Sequence, residues 1–270
     1  MHKNELHIND IGEFISAAWQ LKSSWLPDEP NWGRWFRGHA QADWKLTPKL
    51  LRRPKPKRPM RVVEDDIRQE FMMRAPGLTG LSEDKPQNTW EWYFTMQHSG
   101  APTRLLDWTE GALLALYFAV RDNDGTRDAS VWALDPWWLN KRVVDEREVV
   151  AAMVGVSTLA ARRYYPWLPD LYAENELPKL PVAIYPSHTA RRISTQRSCF
   201  TLHGSDVDGL EILGEELNSH LVKIVVSRSA VPGIAEKLSI CGIDEVTIFP
   251  DLDGLGRLLS TMLETETDAH

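Results

Sequence analysis

The stretch EGALLALYFAV, residues 110–120, limits the possible folds of this chain more than any other feature. Apolar side chains fall on nearly every side of the helix that it predicts, so the helix has no face suited to water. It must therefore be buried. An extended stretch precedes it at APTRLLDWT, and ASVWALDP (129–136) predicts a strand after it.

Hydrophobic periodicity predicts further elements along the chain. Helices are expected over residues 11–25, 62–75, 88–100 and 231–242, and from residue 251. Strands are expected around RWFRG and over residues 190–204, 219–227 and 244–250. Helices mixed with short, irregularly spaced strands indicate an α+β fold. We expect one domain over residues 1–270, with an N-terminal helix within 1–30 and a mostly helical insertion at 137–185.

Composition excludes several classes of protein. The chain has 270 residues, of which 43% are hydrophobic and 26% charged, as in ordinary globular domains. It lacks the run of about 20 apolar residues that spans a membrane, and its first residues lack the apolar core of a signal peptide. Only two cysteines, Cys199 and Cys241, are present. These features predict a cytoplasmic protein without membrane contact.

Familiar catalytic motifs are missing. The sequence contains no GxxxxGK[ST], no GxGxxG after a strand, no HExxH and no GxSxG. Two distant cysteines cannot form a cysteine-rich zinc site, and we expect no metal. A net charge of −7 argues against nucleic-acid binding by the whole surface, although a local basic patch remains compatible with it.

Arg37 is out of place in its strand. It follows the bulky pair Trp35–Phe36 and precedes Gly38. Burying an unpaired cation costs several kcal/mol. Arg37 therefore either has an acidic partner inside the protein or binds an anionic ligand.

A dense group of polar residues lies just before the buried helix. Gln97, His98, Arg104, Asp107 and Thr109 all fall within thirteen residues of one another. Arg104 and Asp107 are close enough in sequence to pair, which would offset their burial. The group forms either a structural ion pair or an anion site at the N-terminus of the helix. His98 is either a structural histidine or part of that site.

The segment RRPKPKRP concentrates positive charge in a proline-rich loop. It is either a solvated loop or an edge near Arg37 that follows the phosphates of a nucleic-acid substrate. The residues concerned are Arg52, Arg53, Lys55, Lys57 and Arg58.

Four stretches in this order resemble the FRG domain family, which is named for its Phe/Tyr-Arg-Gly signature. They are WFRGH, QHSGAPTRLLDWTEGALLALYFAV, ISTQRSCFTLHG and GIDEVTIFPDLDGL. The resemblance extends from about residue 32 to residue 260. Ser198 and Ser99 depart from the usual pattern, which has a glycine and an aromatic residue there.

A more distant similarity connects the chain with ADP-ribosyltransferases. In that family an early strand carries an aromatic-Arg-Gly, whose arginine binds NAD, and a later strand with Ser/Thr precedes a helix. Phe36-Arg37-Gly38 resembles the first element. Leu106-Asp107-Trp108-Thr109 followed by Ala115–Ala119 resembles the second. The resemblance implies a split mixed or antiparallel β core with surrounding helices and a helical insertion.

The resemblance also implies which residues serve NAD. The catalytic candidates are Arg37, Thr109, Gln196 and Glu245, and the NAD-binding candidates are Arg37, Gly38, His39, His98, Arg104, Asp107 and Trp108. Gln196 stands where the family has a glutamate and cannot supply a negative charge to an oxocarbenium-like transition state. The acid could instead be Glu245, Asp251 or Asp107.

The resulting expectation is an NAD-dependent ADP-ribosyltransferase, a toxin-like bacterial effector in a toxin–antitoxin or phage-defence system. Its acceptor would be RNA or protein, and an antitoxin-like partner would restrain it. Two alternatives stay open. One is a non-catalytic module that binds a nucleotide or a partner. The other is a metal-independent nuclease that uses His98 and Asp107.

Overall fold

The computed structural model describes residues 5–25, 34–52, 56–79, 86, 88–145, 164–168, 177–186, 197–217 and 220–267. Within these ranges we found no helix with the length and apolar character needed to cross a membrane.

A seven-stranded sheet forms the centre of this part of the chain. Its strands are β1 (Glu5–Ile8), β2 (Trp35–His39), β3 (Leu105–Thr109), β4 (Ala129–Leu134), β5 (Val182–Ile184), β6 (Ser198–Leu202) and β7 (Leu221–Val226). Their order is β1-β7-β4-β2-β3-β6-β5. The β1–β7 pair is parallel and the other pairs are antiparallel. The mixed sheet with its helices confirms the predicted α+β class.

Nine α-helices surround the sheet in the described residues. They are α1 (Ile11–Trp25), α2 (Met60–Thr79), α3 (Thr89–His98), α4 (Ala112–Val120), α5 (Pro136–Val144), α6 (Gly209–Leu217), α7 (Val231–Ile240), α8 (Glu245–Ile248) and α9 (Leu252–Thr267). Short 3₁₀ turns occupy Lys49–Arg52, Tyr165–Trp167 and Arg228–Ala230.

Helix α4 lies buried on one face of the sheet, as its sequence predicts. Leu116 of α4, Phe14 of α1 and Ile234 of α7 share one apolar core with Phe36 and Ile224 of the strands. Alternating strand residues point to the opposite face. There a second apolar core includes the large side chains of Trp35, Leu106, Trp108, Trp132 and Leu213.

Three elements differ from the sequence predictions, and one of them is strand β5, which lies in the segment predicted as a helical insertion. The strand predicted over residues 244–250 is wrong, because Glu245–Ile248 forms the short helix α8. The Asp244 side chain accepts a hydrogen bond from Thr247 N, and Thr247 Oγ1 accepts one from Asp244 N. This local capping box fixes a helical turn despite the alternating pattern. Strand β1 was not predicted.

The segment predicted as a helical insertion, 137–185, contains most of α5, the 3₁₀ turn Tyr165–Trp167 and strand β5. The remainder, 146–163 and 169–176, lies outside the described residues. The single-domain boundaries of 1–270 therefore stay a prediction.

Strands β2 and β3 diverge after one point of contact. Their register contains the single pair Phe36–Thr109, whereas β2 and β4 pair along five residues, as do β3 and β6. The sheet is consequently split between β2 and β3, and this gap positions the candidate site.

Candidate functional site

The side chain of Arg37 lies at the gap between β2 and β3. Its Nη1 donates a hydrogen bond to the backbone carbonyl of Asp107 at 2.7 Å, and its Nε donates to His39 Nε2 at 3.0 Å. The guanidinium thus replaces part of the missing strand pairing. These two hydrogen bonds explain how the cation of Arg37 is accommodated in an apolar strand.

The negative charge near Arg37 compensates its positive charge only in part. Asp107 Oδ2 lies 3.8 Å from Arg37 Nη1, and the Asp107 side chain is 55% exposed whereas that of Arg37 is 16% exposed. Burial lowers the pKa of Arg37 to about 10, the charge of Asp107 opposes this shift, and the charge of Arg52 adds to it. Arg37 therefore stays charged at neutral pH and is only partly compensated.

His39 supports Arg37 from the same strand. Its side chain is buried, and its Nε2 accepts the hydrogen bond from Arg37 Nε. Burial and the charges of Arg37, Arg52 and Lys223 lower the pKa of His39 to about 3. The imidazole is therefore neutral at physiological pH and orients the guanidinium without repelling it.

A cavity of about 280 Å³ opens beside Arg37. Residues from β2, β3, β6, α4 and the segment after α8 line it: Phe36, Arg37, Gly38, Asp107, Trp108, Thr109, Phe118, Ser198 and Phe249. Five of the residues predicted from the sequence are therefore brought together, namely Arg37, Gly38, Asp107, Trp108 and Thr109.

Gly38 allows β2 to approach α4 closely. A Cβ atom at this position would lie 2.0 Å from the Ala115 carbonyl oxygen and 2.6 Å from Ala119 N. Real contacts are never that short, so only glycine fits without moving α4. The glycine after Arg37 thus fixes the helix that carries Phe118 at the cavity.

Hydrogen bonds orient the β3 side of the cavity. Gln97 Nε2 donates to Asp107 Oδ2 at 2.8 Å, and Trp108 Nε1 donates to Thr201 Oγ1 at 3.0 Å. Thr109 Oγ1 accepts from Gly111 N at 3.0 Å, just before α4 begins. Both polar side chains of β3, Asp107 and Thr109, are held where the gap opens.

The predicted pair of Arg104 with Asp107 is wrong. Arg104 directly precedes β3, and an offset of three residues along an extended chain places two side chains on opposite faces. Arg104 is fully buried, and its Nε donates to both oxygens of Glu64 at 2.9 and 2.8 Å. Its Nη1 donates to the His203 carbonyl and its Nη2 to the Trp167 carbonyl. These contacts make Arg104 a structural cross-link rather than an NAD ligand.

Glu245 is also bound within the protein. Its side chain is 12% exposed and accepts hydrogen bonds from Tyr117, Arg121 and Arg257. Burial alone would raise the pKa of Glu245, but these hydrogen bonds and charges outweigh it and lower the pKa. Glu245 does not line the cavity, so the structure gives no support to a catalytic role for it.

The other predicted residues are spread more widely. His98 is exposed at the C-terminal end of α3 and is not among the residues that line the cavity. Lys57 and Arg58 are exposed, and Arg58 pairs with Asp66 at 2.6 Å. Among the described members of the basic loop, Arg52 is the one whose charge acts on Arg37. Arg53, Lys55 and Gln196 lie outside the described residues.

Sequence reasoning missed Phe249 as a site residue. Phe118 and Phe249 meet edge to face, with ring centroids 6.0 Å apart. The guanidinium carbons of Arg121 and Arg257 lie 5.0 and 4.9 Å from the Phe249 ring. The alternating stretch before Phe249–Pro250 favoured the end of a strand, so no sequence pattern indicated that Phe249 belongs to the site.

Comparison with known proteins identifies one family. Residues 33–128 match the family model of the FRG domain. No curated protein and no solved structure matches the chain. The family resemblance predicted over residues 32–260 is confirmed for 33–128, which includes Arg37, Asp107 and Thr109. The similarity to ADP-ribosyltransferases stays a proposal.

Proposed function

We propose that this protein is an NAD-dependent ADP-ribosyltransferase whose site is the cavity at the gap between β2 and β3. One observation carries the proposal. Arg37 is a largely buried cation that lines the cavity, and among the described residues it faces one carboxylate, which lies 3.8 Å away and is mostly exposed to water. A buried cation with so little compensation favours an anionic ligand.

The diphosphate of NAD fits the charge of this region. A guanidinium presents a planar set of donors that matches phosphate oxygens in pairs. Arg52 adds a second positive charge near Arg37. Its Nε donates to the Thr47 carbonyl, and within the described residues no carboxylate lies at ion-pair distance from it. Arg37 and Arg52 together would hold the diphosphate.

The size and lining of the cavity suit the nicotinamide end of NAD. Its volume of about 280 Å³ is near the lower end for ligand pockets. The adenosine end would therefore lie along the surface outside. Phe118 and Phe249 offer apolar ring surface to the nicotinamide, since aromatic rings pack favourably edge to face or offset.

In the proposed reaction, the bond between ribose C1′ and the nicotinamide nitrogen breaks. Nicotinamide leaves with the electron pair as a neutral molecule. An acceptor nucleophile then bonds to C1′ and gives up its proton. The cationic ribose needs a nearby negative charge, exclusion of water and an oriented acceptor. Asp107, the only carboxylate among the described lining residues, would stabilise the cation, and Thr109 would contact the ribose.

The acceptor is RNA or protein, and the biological role we propose is that of a toxin-like effector in the cytoplasm, in a toxin–antitoxin or phage-defence system. This part of the proposal rests on the resemblance to toxin and phage-defence transferases. A cell that makes such an enzyme needs an antitoxin-like partner to restrain it.

Transfer of label from NAD to macromolecules of a cell extract tests the proposal. The intact protein should label an acceptor, Arg37→Ala should lose transfer because the diphosphate is no longer held, and Asp107→Asn should still bind NAD but transfer poorly. Arg74→Ala, at a 69% exposed position on α2, is the control. Transfer that survives Arg37→Ala would rule out the proposed site.

A non-catalytic nucleotide-binding module is the second candidate. The engagement of Glu245 by Tyr117, Arg121 and Arg257 favours it, because this removes one candidate catalytic acid. The two functions differ in a simple measurement. A module binds NAD without releasing nicotinamide, whereas the transferase releases nicotinamide when an acceptor is present.

A further inference from the structure

A second cavity lies on the face of the sheet that carries Arg37 and His39. It has a volume of about 420 Å³, and Trp44, Trp132 and Lys223 form part of its wall. Arg37, Trp132 and Lys223 are cross-strand neighbours on β2, β4 and β7. Nothing in the sequence motifs or the proposed chemistry uses this cavity.

Carboxylates outnumber cations in its lining. Asp43, Asp208 and Glu211 face Lys45 and Lys223. Both cations already have partners, since Lys45 Nζ lies 2.8 Å from Asp208 and Lys223 Nζ lies 3.0 Å from Glu5. Across the described ranges, neither Asp43 nor Glu211 takes part in an ion pair. The cavity therefore has an excess of negative charge.

Glu211 has spare hydrogen-bonding capacity. Its Oε1 accepts from Leu46 N at 2.7 Å. Its Oε2 is buried and has no hydrogen-bond partner among the described residues. Burial raises the pKa of Glu211, although the bond from Leu46 opposes the shift. A carboxylate that is only partly compensated at a cavity wall is costly, and a positive charge in the cavity would offset that cost.

Trp44 presents a flat apolar surface beside these carboxylates. Its side chain is 49% exposed, yet it is held in place because Nε1 donates to Gln41 Oε1 at 3.1 Å. The His39 ring meets it at a centroid distance of 6.0 Å and 61°. The second indole, Trp132, already has Lys223 Nζ 5.8 Å from its ring centroid. Trp44 is thus a fixed aromatic face open to a second cation.

We propose that this cavity binds an arginine side chain presented by a partner protein. The guanidinium would stack on Trp44, as planar cations do on indole rings. Its positive charge would compensate the carboxylates of Glu211 and Asp43, both of which line the cavity. The planar, multiply donating guanidinium suits this combination better than an ammonium does.

The charge of the cavity disfavours a nucleotide in the same place. A nucleobase could stack on Trp44, but its phosphate would approach the uncompensated carboxylates of Asp43 and Glu211. The inference does not depend on NAD chemistry, because it concerns binding alone at a separate cavity. Its failure would leave the proposed transferase site untouched, and the reverse also holds.

The test is a titration of the full chain with a short peptide that contains one arginine. Binding is monitored by NMR through the indole N–H resonance of Trp44. The matched ligand replaces arginine by citrulline, which keeps the shape and loses the charge. The variants are Glu211→Gln and Trp44→Leu, with Trp19→Leu as a control at a 64% exposed tryptophan on α1. Circular dichroism verifies that each variant folds.

We expect the arginine peptide to shift the Trp44 resonance in a saturable way and citrulline to have little effect. Glu211→Gln should weaken binding by about tenfold, because the cation loses one compensating negative charge. Trp44→Leu should weaken it similarly when followed by calorimetry, and Trp19→Leu should not. Equal binding of citrulline, a shift caused instead by a mononucleotide, or no saturable shift with arginine would overturn the proposal.

Discussion

Two arginines, Arg37 on β2 and Arg104 directly before β3, differ in what surrounds them. Arg104 is fully buried and donates to Glu64 and to two backbone carbonyls, so its donors are used within the protein. Arg37 keeps 16% exposure, and within the described part of the chain its one carboxylate neighbour is 3.8 Å away. Both residues stand beside apolar strand residues in the sequence. The distinction could not be predicted, because the partner Glu64 comes from a helix forty residues earlier in the chain.

The two buried histidines His39 and His203 should make the free energy of unfolding depend on pH. Burial, followed by nearby arginine charges, lowers the pKa of His39 and of His203 to about 3, below the ordinary value of 6.5. Between these values the unfolded chain binds protons that the folded chain does not. The free energy of unfolding should therefore fall as the pH drops below about 6.5, by up to about 1.4 kcal/mol per pH unit for each histidine.

Urea unfolding between about pH 7 and about pH 5 measures this slope in a range where most carboxylates stay ionised. The double variant His39→Gln/His203→Gln should lose most of the slope. His7→Gln, at an exposed position of β1, is the control and should keep it. Equal slopes for the intact protein and the double variant would contradict the assignment of neutral, buried imidazoles.

Local sequence patterns predict an element correctly where contacts within the segment itself determine its structure. Asn88 caps α3 by accepting a hydrogen bond from Glu91 N, and Gly100 follows the helix with φ +75°, so both ends of the helix predicted over residues 88–100 have a local cause. The apolar pattern of α4 likewise predicted its burial. Residues 244–250 were misassigned because alternation suggests a strand, whereas the capping box of α8 stabilises one helical turn.

The short helix α8 connects Glu245 to the wall of the cavity. Glu245 binds Tyr117 and Arg121 of the α4 end and Arg257 of α9, and both arginines also pack on Phe249. We expect Glu245→Gln to lower the free energy of unfolding by about 1–3 kcal/mol, because a partly buried ion-pair network loses its charge. NAD affinity should fall as well, since Phe249 loses its fixed position.

Thermal unfolding and calorimetric NAD titration measure the two effects. Glu70→Gln is the matched control, because Glu70 pairs with Arg74 on the exposed side of α2 and such pairs contribute little. If Glu245→Gln matched the control in both measurements, Glu245 would not position Phe249.

At the scale of the whole molecule, the site depends on contacts that sequence order does not reveal. Its lining comes from residues 36–38, 107–109, 118, 198 and 249, which the sheet order β4-β2-β3-β6 and the packing of α4 bring together. The resemblance supplied Arg37, Gly38, Asp107, Trp108 and Thr109. It could not supply Phe249, or the engagement of Arg104 and Glu245 elsewhere, since these depend on long-range packing.

The central claim is that Arg37, at the gap between β2 and β3, holds the diphosphate of NAD. Calorimetric titration of NAD into the intact protein and into Arg37→Lys tests it most directly. Lysine keeps the charge but lacks the planar pair of donors, so affinity should fall by about tenfold or more. Arg74→Lys should bind as the intact protein does. NAD binding unchanged in Arg37→Lys, or absent from the intact protein, would contradict the account.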